Sequence, residues 1–380
     1  MKMLNVTTSF VTMASEFTAL RGFTVRSSSA GFPSFLPKEV DKIKDPFARK
    51  LATRIERLSV PVKFTENSIM TSCVRPLIKC KTSPVVLLHG FDSSCLEWRY
   101  TYPLLEDAGL ETWAVDILGW GFSDLERLPS CDVASKRHHF YELWKSYIQK
   151  PMILVGPSLG AAVAIDFAVN HPEAVQKLVL IDASVYTEGT GNLATLPKWL
   201  AYAGVSLLTC FLEMAFEYFN ALKIFLFFIF LTSLVLVINN HSPAIGRLHC
   251  LLPWWEDATV DFMRSGGYKV GAQIEQACLK LFCHFNRPSV MLILHDITHA
   301  SIYEFHMVKQ KTLIIWGEDD KIISNKLAVR LQCELPNATI RQIADCGHLP
   351  HVEKPREVAK LIEEFVQEDC SKELAYSSLV

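Results

Sequence analysis

A short apolar run that leads through a glycine-flanked serine into a helical segment constrains this chain more than any other feature. Residues 152–155 (MILV) are apolar, and Gly156-Pro-Ser-Leu-Gly160 follows them directly, before the helical run AAVAIDFAVN. So sharp a turn requires small residues around the serine, and Gly156 and Gly160 supply them. The serine hydroxyl then lies at a helix N-terminus, where free N–H groups and the helix dipole stabilise developing negative charge. The pattern predicts a strand–turn–helix unit that presents Ser158 as a nucleophile.

Similar apolar runs recur along the chain and alternate with segments of helical length. Continuous apolar strands are typical of a parallel sheet that is buried on both faces. We therefore predict an α/β protein with a doubly wound, mostly parallel sheet and an inserted helical lid, with its functional residues at the carboxyl ends of the strands. The predicted strands lie at 84–88, 112–115, 152–155, 178–181, 312–316 and 339–343, and the predicted helices include 136–148, 159–170 and 325–334.

A serine nucleophile needs a base, and the base needs a group that orients it. His348 follows a glycine on the loop after the predicted strand 339–343, whereas the nearby His351 sits toward a helix, so His348 is the candidate base. Asp320 ends a G-x-x-D pattern just past the strand 312–316, and it is the candidate acid. Asp182, which follows the strand 178–181, is the alternative acid.

An oxyanion intermediate needs hydrogen-bond donors as well as the triad. His89-Gly90-Phe91 follows the strand 84–88 directly, and the glycine lets the chain turn there. We expect the backbone N–H groups of Phe91 and of Leu159, the residue after the serine, to form an oxyanion hole. His89 is interpreted as a structural histidine that holds this loop.

The overall composition argues against other classes of function. With 38 basic and 40 acidic side chains, the chain has no basic footprint for a nucleic-acid partner. Eleven cysteines without a C-x-x-C pair argue against a disulfide framework or a zinc site. His295 and His299 are spaced like helix-borne zinc ligands but have no third ligand, and His138-His139 is interpreted as a solvated helix surface. We therefore expect no metal and no cofactor.

These motifs together resemble the α/β-hydrolase superfamily, in which the chain order is Ser, Asp, His. The segment Asp116-Ile-Leu-Gly-Trp-Gly-Phe-Ser123 looks like the D-x-x-G-x-G-x-S loop of that superfamily. Longer strings resemble the plant chloroplast chlorophyll dephytylase group: HGFDSSCLEWRYTYPLLEDAGLETWAVDILGWGFSD, GPSLGAAVAIDFAVNHPEAV and GRLHCLLPWWEDATVDFMRSGGY. The resemblance implies hydrolysis of the phytyl ester of chlorophyll at the thylakoid.

Three alternatives to this substrate remain open at the level of sequence. The chain could act on another plastid lipid or ester, or it could cleave a carbon–carbon bond with the same triad. It could also be a hydrolase-fold ligand receptor with little turnover. Fold alone does not choose among these substrates.

Composition and apolar content divide the chain into segments. The first thirty residues hold ten Ser or Thr and a single acid, which is typical of an organelle transit peptide, so residues 1–35 are assigned to one. The hydrolase core spans 36–186 and 311–370, the lid 187–310, and a tail 371–380. Residues 45–57 are expected to form an amphipathic helix.

Two stretches of the lid do not fit the rest of the chain. Residues 224–238 are an unbroken apolar run, shorter than the roughly 20 residues of a spanning helix. They are interpreted as a short or tilted span, a membrane-dipping lid helix or a buried segment. The stretches 213–244 and 277–307 are either genuine lid insertions or products of mis-joined exons.

Overall fold

The computed structural model describes residues 31–63, 68–187, 189–190, 194–195, 197–205, 243–274 and 308–377. The proposed transit peptide up to residue 30, the apolar run 224–238 and the stretch 277–307 with its two histidines lie outside these ranges. No helix within the described ranges combines the length and the apolar content needed to cross a bilayer.

An eight-stranded sheet organises the described chain, with the strands in the order β1-β2-β4-β3-β5-β6-β7-β8. β2 is antiparallel to both of its neighbours, and every other neighbouring pair is parallel. The predicted α/β class with a mostly parallel sheet is therefore confirmed. The strands are β1 (Glu56–Val60), β2 (Ile69–Val74), β3 (Val85–Leu87), β4 (Thr112–Val115), β5 (Met152–Pro157), β6 (Val175–Ile181), β7 (Lys311–Gly317) and β8 (Ala338–Ile343).

Helices connect the parallel strands and cover the sheet. Residues 198–205 are also helical, and a π-helical turn at Trp144–Ile148 extends the helix before β5. The labelled helices are α1 (Pro46–Ala52), α2 (Thr101–Asp107), α3 (Val133–Leu143), α4 (Leu159–Asn170), α5 (Pro243–Gly246), α6 (Trp255–Arg264), α7 (Lys326–Glu334), α8 (Pro350–Glu353) and α9 (Pro355–Ser377). Short 3-10 helices lie at Lys38–Lys42, Cys95–Trp98, Pro172–Ala174 and His249–Leu251.

The sheet separates two apolar cores, which explains why its central strands carry unbroken apolar runs such as residues 152–155 of β5 and 178–181 of β6. Along β5, Leu154 packs into one core while Ile153 and Val155 pack into the other. The first core also takes side chains from α3 and α4, and the second from α1, α2 and α9. Because side chains alternate between faces along a strand, burial on both faces requires an unbroken apolar run.

The start of the domain differs from the sequence expectation. The helix predicted over 45–57 ends at Ala52, and Glu56–Val60 is instead the edge strand β1. Asp45 caps this short helix by accepting hydrogen bonds from Phe47 N and Ala48 N. Neither β1 nor β2 was predicted, because their mixed polar sequences lack the continuous apolar signal of the central strands.

Two predicted boundaries also shift. Phe32 and Phe35 already pack against the second core, so the domain begins before residue 36. At the other end, α9 continues through Ser377, so the boundary predicted at residue 370 falls inside a helix.

Candidate active site

Ser158 lies in a strained turn between β5 and α4. Its φ of 48° and ψ of −118° are unusual for a residue with a side chain, and only 4% of the residue is exposed. Its N–H donates to Ile181 O across 2.8 Å, which ties the turn to the end of β6. A Cβ on Gly156 would lie 2.2 Å from the carbonyl oxygen of Gly160, and a Cβ on Gly160 would lie 2.6 Å from that of His89. The turn therefore tolerates only glycine at both predicted elbow positions.

Asp320 and His348 form a hydrogen-bonded pair on the loops after β7 and β8. His348 Nδ1 lies 2.8 Å from Asp320 Oδ2, while Asp320 Oδ1 accepts from Ile322 N at 2.7 Å and Ile323 N at 3.0 Å. Burial would raise the pKa of Asp320, but the bond to His348 and these backbone donors together lower it. His348 Nε2 is buried and has no hydrogen-bond partner among the described residues. The ring is thus oriented by an ionised carboxylate, with one nitrogen available.

Asp182 connects this pair to the serine. It follows Ile181, the residue that binds the Ser158 N–H, and side-chain ligand atoms of Asp182, Asp320 and His348 lie within 4.8 Å of one another. The structure therefore brings Ser158 to the same sheet edge as the two other predicted residues. Ser158 Oγ and His348 Nε2 are not hydrogen-bonded in it, and the catalytic roles of all three residues stay predictions.

The pKa values of the two carboxyl groups in this cluster are shifted in opposite directions. Asp182 Oδ1 accepts from Gly317 N at 3.0 Å, but its buried Oδ2 has no hydrogen-bond partner within the described ranges. Burial and the neighbouring charge of Asp320 raise the pKa of Asp182 well above its ordinary value. The protonated form of Asp182 is thus favoured and the ionised form of Asp320 is favoured, and only Asp320 is hydrogen-bonded to the histidine. The three side chains are close enough for a divalent ion, but Asp320 already uses both oxygens in hydrogen bonds.

The loop after β3 lies beside the serine. A Cβ on Gly90 would come within 3.8 Å of Ser158 Cβ. His89 Nδ1 donates to Gly90 O at 2.8 Å, and His89 Nε2 accepts from Ile117 N at 3.0 Å, so its interpretation as a structural histidine is confirmed. Within the described part of the chain, the N–H of Phe91 meets no acceptor. Leu159 begins α4, so its N–H has no partner inside the helix.

Comparison with known proteins assigns this arrangement to a family. The model of the alpha/beta hydrolase family matches residues 85–361. Alpha/beta hydrolase domain-containing protein VTE7 of Arabidopsis thaliana is 53% identical over 344 residues, covering 90% of this chain and 92% of that protein. The chain belongs to the α/β-hydrolase family.

More distant members of this hydrolase family also match. Human monoacylglycerol lipase ABHD6 is 25% identical over 292 residues, covering 74% of each chain. A solved structure of a thermophilic esterase from Thermogutta terrifontis has a TM-score of 0.57 at 16% identity, covering 82% of this chain and 98% of its own. The structural likeness supports the fold.

Glu97 is a site residue of this hydrolase that sequence patterns did not indicate. Its Oε2 accepts from Gly90 N at 3.1 Å, and its Oε1 lies 2.7 Å from His351 Nε2. Glu97 thereby links the loop after β3 to α8, the helix that follows the loop with His348, and it binds the histidine that we did not select as base. Burial would raise the pKa of Glu97, but the bond to His351 and the charge of that ring lower it to about 2. The pair joins positions 254 residues apart, so no local motif could reveal it.

Aromatic side chains from α6 cover the loop after β3. The ring of Phe262 lies 5.0 Å from Trp120 and 6.4 Å from Phe91, and Trp120 Nε1 donates to Thr259 Oγ1 at 3.3 Å. Phe262 of the lid thus forms an aromatic wall with Trp120 and Phe91 at the predicted oxyanion loop.

The interpretation of His138-His139 as a solvated surface is wrong for His139. His139 is 1% exposed and bonds Thr71 Oγ1 at 2.6 Å. Burial and the nearby Lys136 lower the pKa of His139 to about 3, so the ring is neutral at physiological pH. Its role is to complete the packing between α3 and β2.

We expect acidification to remove the stability that the Glu97–His351 pair contributes. The pKa of Glu97 falls from an ordinary 4.5 to about 2 in the fold, so the contribution is complete above pH 4.5 and disappears toward pH 2. That difference corresponds to about 3 kcal/mol at neutral pH. Urea unfolding should therefore show Glu97→Gln less stable than the parent at pH 7, with the gap narrowing below pH 4.5 and closing only toward pH 2. Glu318→Gln, at an exposed position, is the control, and a Glu97→Gln gap that stays constant with pH would contradict the pairing.

Proposed function

We propose that this hydrolase cleaves carboxylic esters, with Ser158 as nucleophile, His348 as base and Asp320 as the orienting acid. The observation that carries the proposal is the state of His348. Its Nδ1 is bound to an ionised carboxylate, and its buried Nε2 is without a partner in the described chain, at the sheet edge where Ser158 occupies its strained turn. A serine hydrolase requires this division of roles between the two ring nitrogens.

The proposed reaction is a two-step acyl transfer. His348 Nε2 takes the proton of the Ser158 hydroxyl as Oγ attacks the ester carbonyl carbon, and the N–H groups of Phe91 and Leu159 hold the resulting oxyanion. The ester C–O bond breaks, and His348 returns the proton to the departing alcohol. Water then attacks the acyl-serine while His348 accepts its proton. The bond between the acyl carbon and Ser158 Oγ breaks, and His348 gives that proton to Oγ, which releases the acid and restores both residues. The chain supplies every group that these steps use, so no cofactor is required.

The substrate that we propose is the phytyl ester of chlorophyll, cleaved to chlorophyllide and phytol. Support comes from the sequence strings that resemble the chlorophyll dephytylase group and from the aromatic wall of Phe91, Trp120 and Phe262, which suits an apolar substrate. The mean hydropathy of +0.20 is in keeping with a chain that meets lipid-like molecules. A second candidate is a monoacylglycerol, which a human relative is named for cleaving.

Hydrolysis of chlorophyll a by the full chain should release phytol and chlorophyllide, detected by chromatography, and Ser158→Ala should abolish the release. Loss of a triad nucleophile typically costs about 10⁶-fold in turnover. A monoacylglycerol and a small aryl ester serve as comparison substrates. Release from either of these, but not from chlorophyll, would reject the pigment and retain the serine hydrolase. Activity on any substrate that survives Ser158→Ala would reject the nucleophile.

Three neighbouring carboxyl groups allow a matched test of the proposed acid. Asp320→Asn should lower kcat by about 10³- to 10⁴-fold, because the amide no longer holds the histidine in the required tautomer. Asp319→Asn, at the exposed adjacent position, should change kcat less than about twofold. Asp182→Asn should also retain most activity, since an amide resembles the neutral carboxyl group there. A large loss with Asp182→Asn and a small one with Asp320→Asn would exchange the two assignments.

We also propose that residues 1–35 direct the chain to the chloroplast and that the apolar run 224–238 contacts the thylakoid membrane. The Ser- and Thr-rich, acid-poor N-terminus and the unbroken apolar sequence of the run motivate this proposal. The full chain fused at its C-terminus to a fluorescent protein should accumulate in chloroplasts of leaf cells and sediment with thylakoids. Deletion of residues 1–30, which spares Phe32 and Phe35 of the domain, should leave the fusion in the cytosol, and unchanged plastid import of that variant would reject the assignment.

A further inference from the structure

Asp92 follows the proposed oxyanion donor Phe91 and occupies an unusual backbone conformation. Its φ is 48°, in the left-handed region that residues with side chains seldom adopt, although Asp and Asn tolerate it better than most. Such a conformation persists only where surrounding contacts fix it. The orientation of the peptide between Phe91 and Gly90, and therefore of the Phe91 N–H, depends on how this short loop is held.

The contacts that hold Asp92 come from the lid. We call residues 243–274 the cap segment. His249 Nε2 lies 2.9 Å from Asp92 Oδ1, and Trp255 Nε1 donates to the same oxygen at 2.6 Å. Asp92 is 8% exposed, His249 1% and Trp255 6%, so water does not compete for these bonds. Each of these two hydrogen bonds joins residues that lie more than 150 positions apart in the chain.

We call the hydrogen bonds from His249 and Trp255 to Asp92 the latch. This role accounts for the cluster better than a metal site does. Asp92, His249 and Cys250 offer ligand atoms within 4.8 Å of one another, with Cys250 Sγ 3.6 Å from His249 Nε2. However, the N–H of Trp255 points its proton at the carboxylate oxygen that an ion would need. Burial also raises the pKa of the Cys250 thiol well above its ordinary value, which disfavours the thiolate that binds metals.

The cap segment also contacts Phe91, the residue before Asp92. The ring of Phe262 packs 6.4 Å from that of Phe91, so two consecutive loop residues are held by one cap. We propose that Asp92 is a positioning residue through which the cap segment fixes the Phe91 N–H in the oxyanion hole. The position of the cap segment against the loop after β3 thus determines the rate of the chemical step. The inference rests on the proposed serine hydrolase function and extends it to the lid.

Three substitutions at Asp92 separate the hydrogen bonds from the backbone strain. Asp92→Asn keeps an Oδ1 that can accept both donors and tolerates the same φ, so kcat should fall by no more than about threefold. Asp92→Ala and Asp92→Gly both remove the acceptor, but only glycine relieves the strain. Both should lower kcat by about 10- to 100-fold with KM nearly unchanged, as expected for a displaced oxyanion donor.

The same effect should arise from the cap side. Trp255→Phe keeps an aromatic ring but removes the indole N–H, and it should lower kcat as Asp92→Ala does. Combined with Asp92→Ala it should add little, because both changes break one interaction. Arg264→Gln, at an exposed position on the same helix, is the matched control and should behave as the parent does.

Rates are measured on a small aryl ester with the full chain and divided by the fraction of sites that react with a fluorophosphonate probe. This correction removes losses caused by misfolded molecules. The affinity of an aryl trifluoromethyl ketone, which forms a tetrahedral oxyanion adduct, should weaken by the same factor as kcat/KM. A merely structural role would lower the active fraction and leave both of these quantities unchanged.

The outcomes separate the two proposals. If the parent is active and the corrected kcat of Asp92→Ala, Asp92→Gly and Trp255→Phe equals that of the parent, the latch is rejected and the hydrolase is retained. If Asp92→Gly recovers parental kcat while Asp92→Ala does not, backbone strain explains the effect and the latch is again rejected. A parent chain that neither cleaves the ester nor reacts with the probe overturns the hydrolase proposal, and the latch with it.

Discussion

The close approach of two backbone segments at the end of β5 is the constraint on which the site depends. A side chain on Gly160 would collide with the carbonyl oxygen of His89, and one on Gly156 would collide with Gly160 itself. Two glycines therefore allow the serine turn and the loop after β3 to lie against each other. His89 Nε2 accepts a hydrogen bond from Ile117 N, which holds the loop after β3 in place. The contact between Gly160 and His89 therefore sets the position of Ser158 and that of the proposed oxyanion donor together.

The surroundings of two aspartates in one cluster shift their pKa values in opposite directions. Asp320 receives backbone N–H donors and a histidine, all of which favour the carboxylate, whereas Asp182 has one backbone donor and a negative neighbour. A buried negative charge is costly, and two adjacent ones are more so, hence the carboxyl group with more hydrogen-bond donors is the one whose ionised form is favoured.

The sequence alone predicted the parallel strands, the serine turn and the pairing of Asp320 with His348, because each depends on local chemistry. A strand buried on both faces must be apolar, and a sharp turn must carry glycine. Polar contacts between distant segments leave no such signature. Glu97 with His351 and Asp92 with His249 are separated by 254 and 157 residues and use ordinary side chains. The edge strand β1 was also missed, because a half-exposed strand of mixed polarity resembles the end of an amphipathic helix.

The features that could be predicted lie in the turns at the sheet edge, and those that could not include the contacts made by the lid. The proposed catalytic residues lie in turns that are fixed by backbone geometry, and such turns leave a local signature in the sequence. The described part of the lid supplies Phe262 and Trp255, which reach the loop that carries Phe91 and Asp92. If the lid both shapes the pocket and holds an oxyanion donor, substrate fit and reaction rate are coupled through one interface. A change of lid sequence would then alter kcat as well as affinity, although no triad residue had changed.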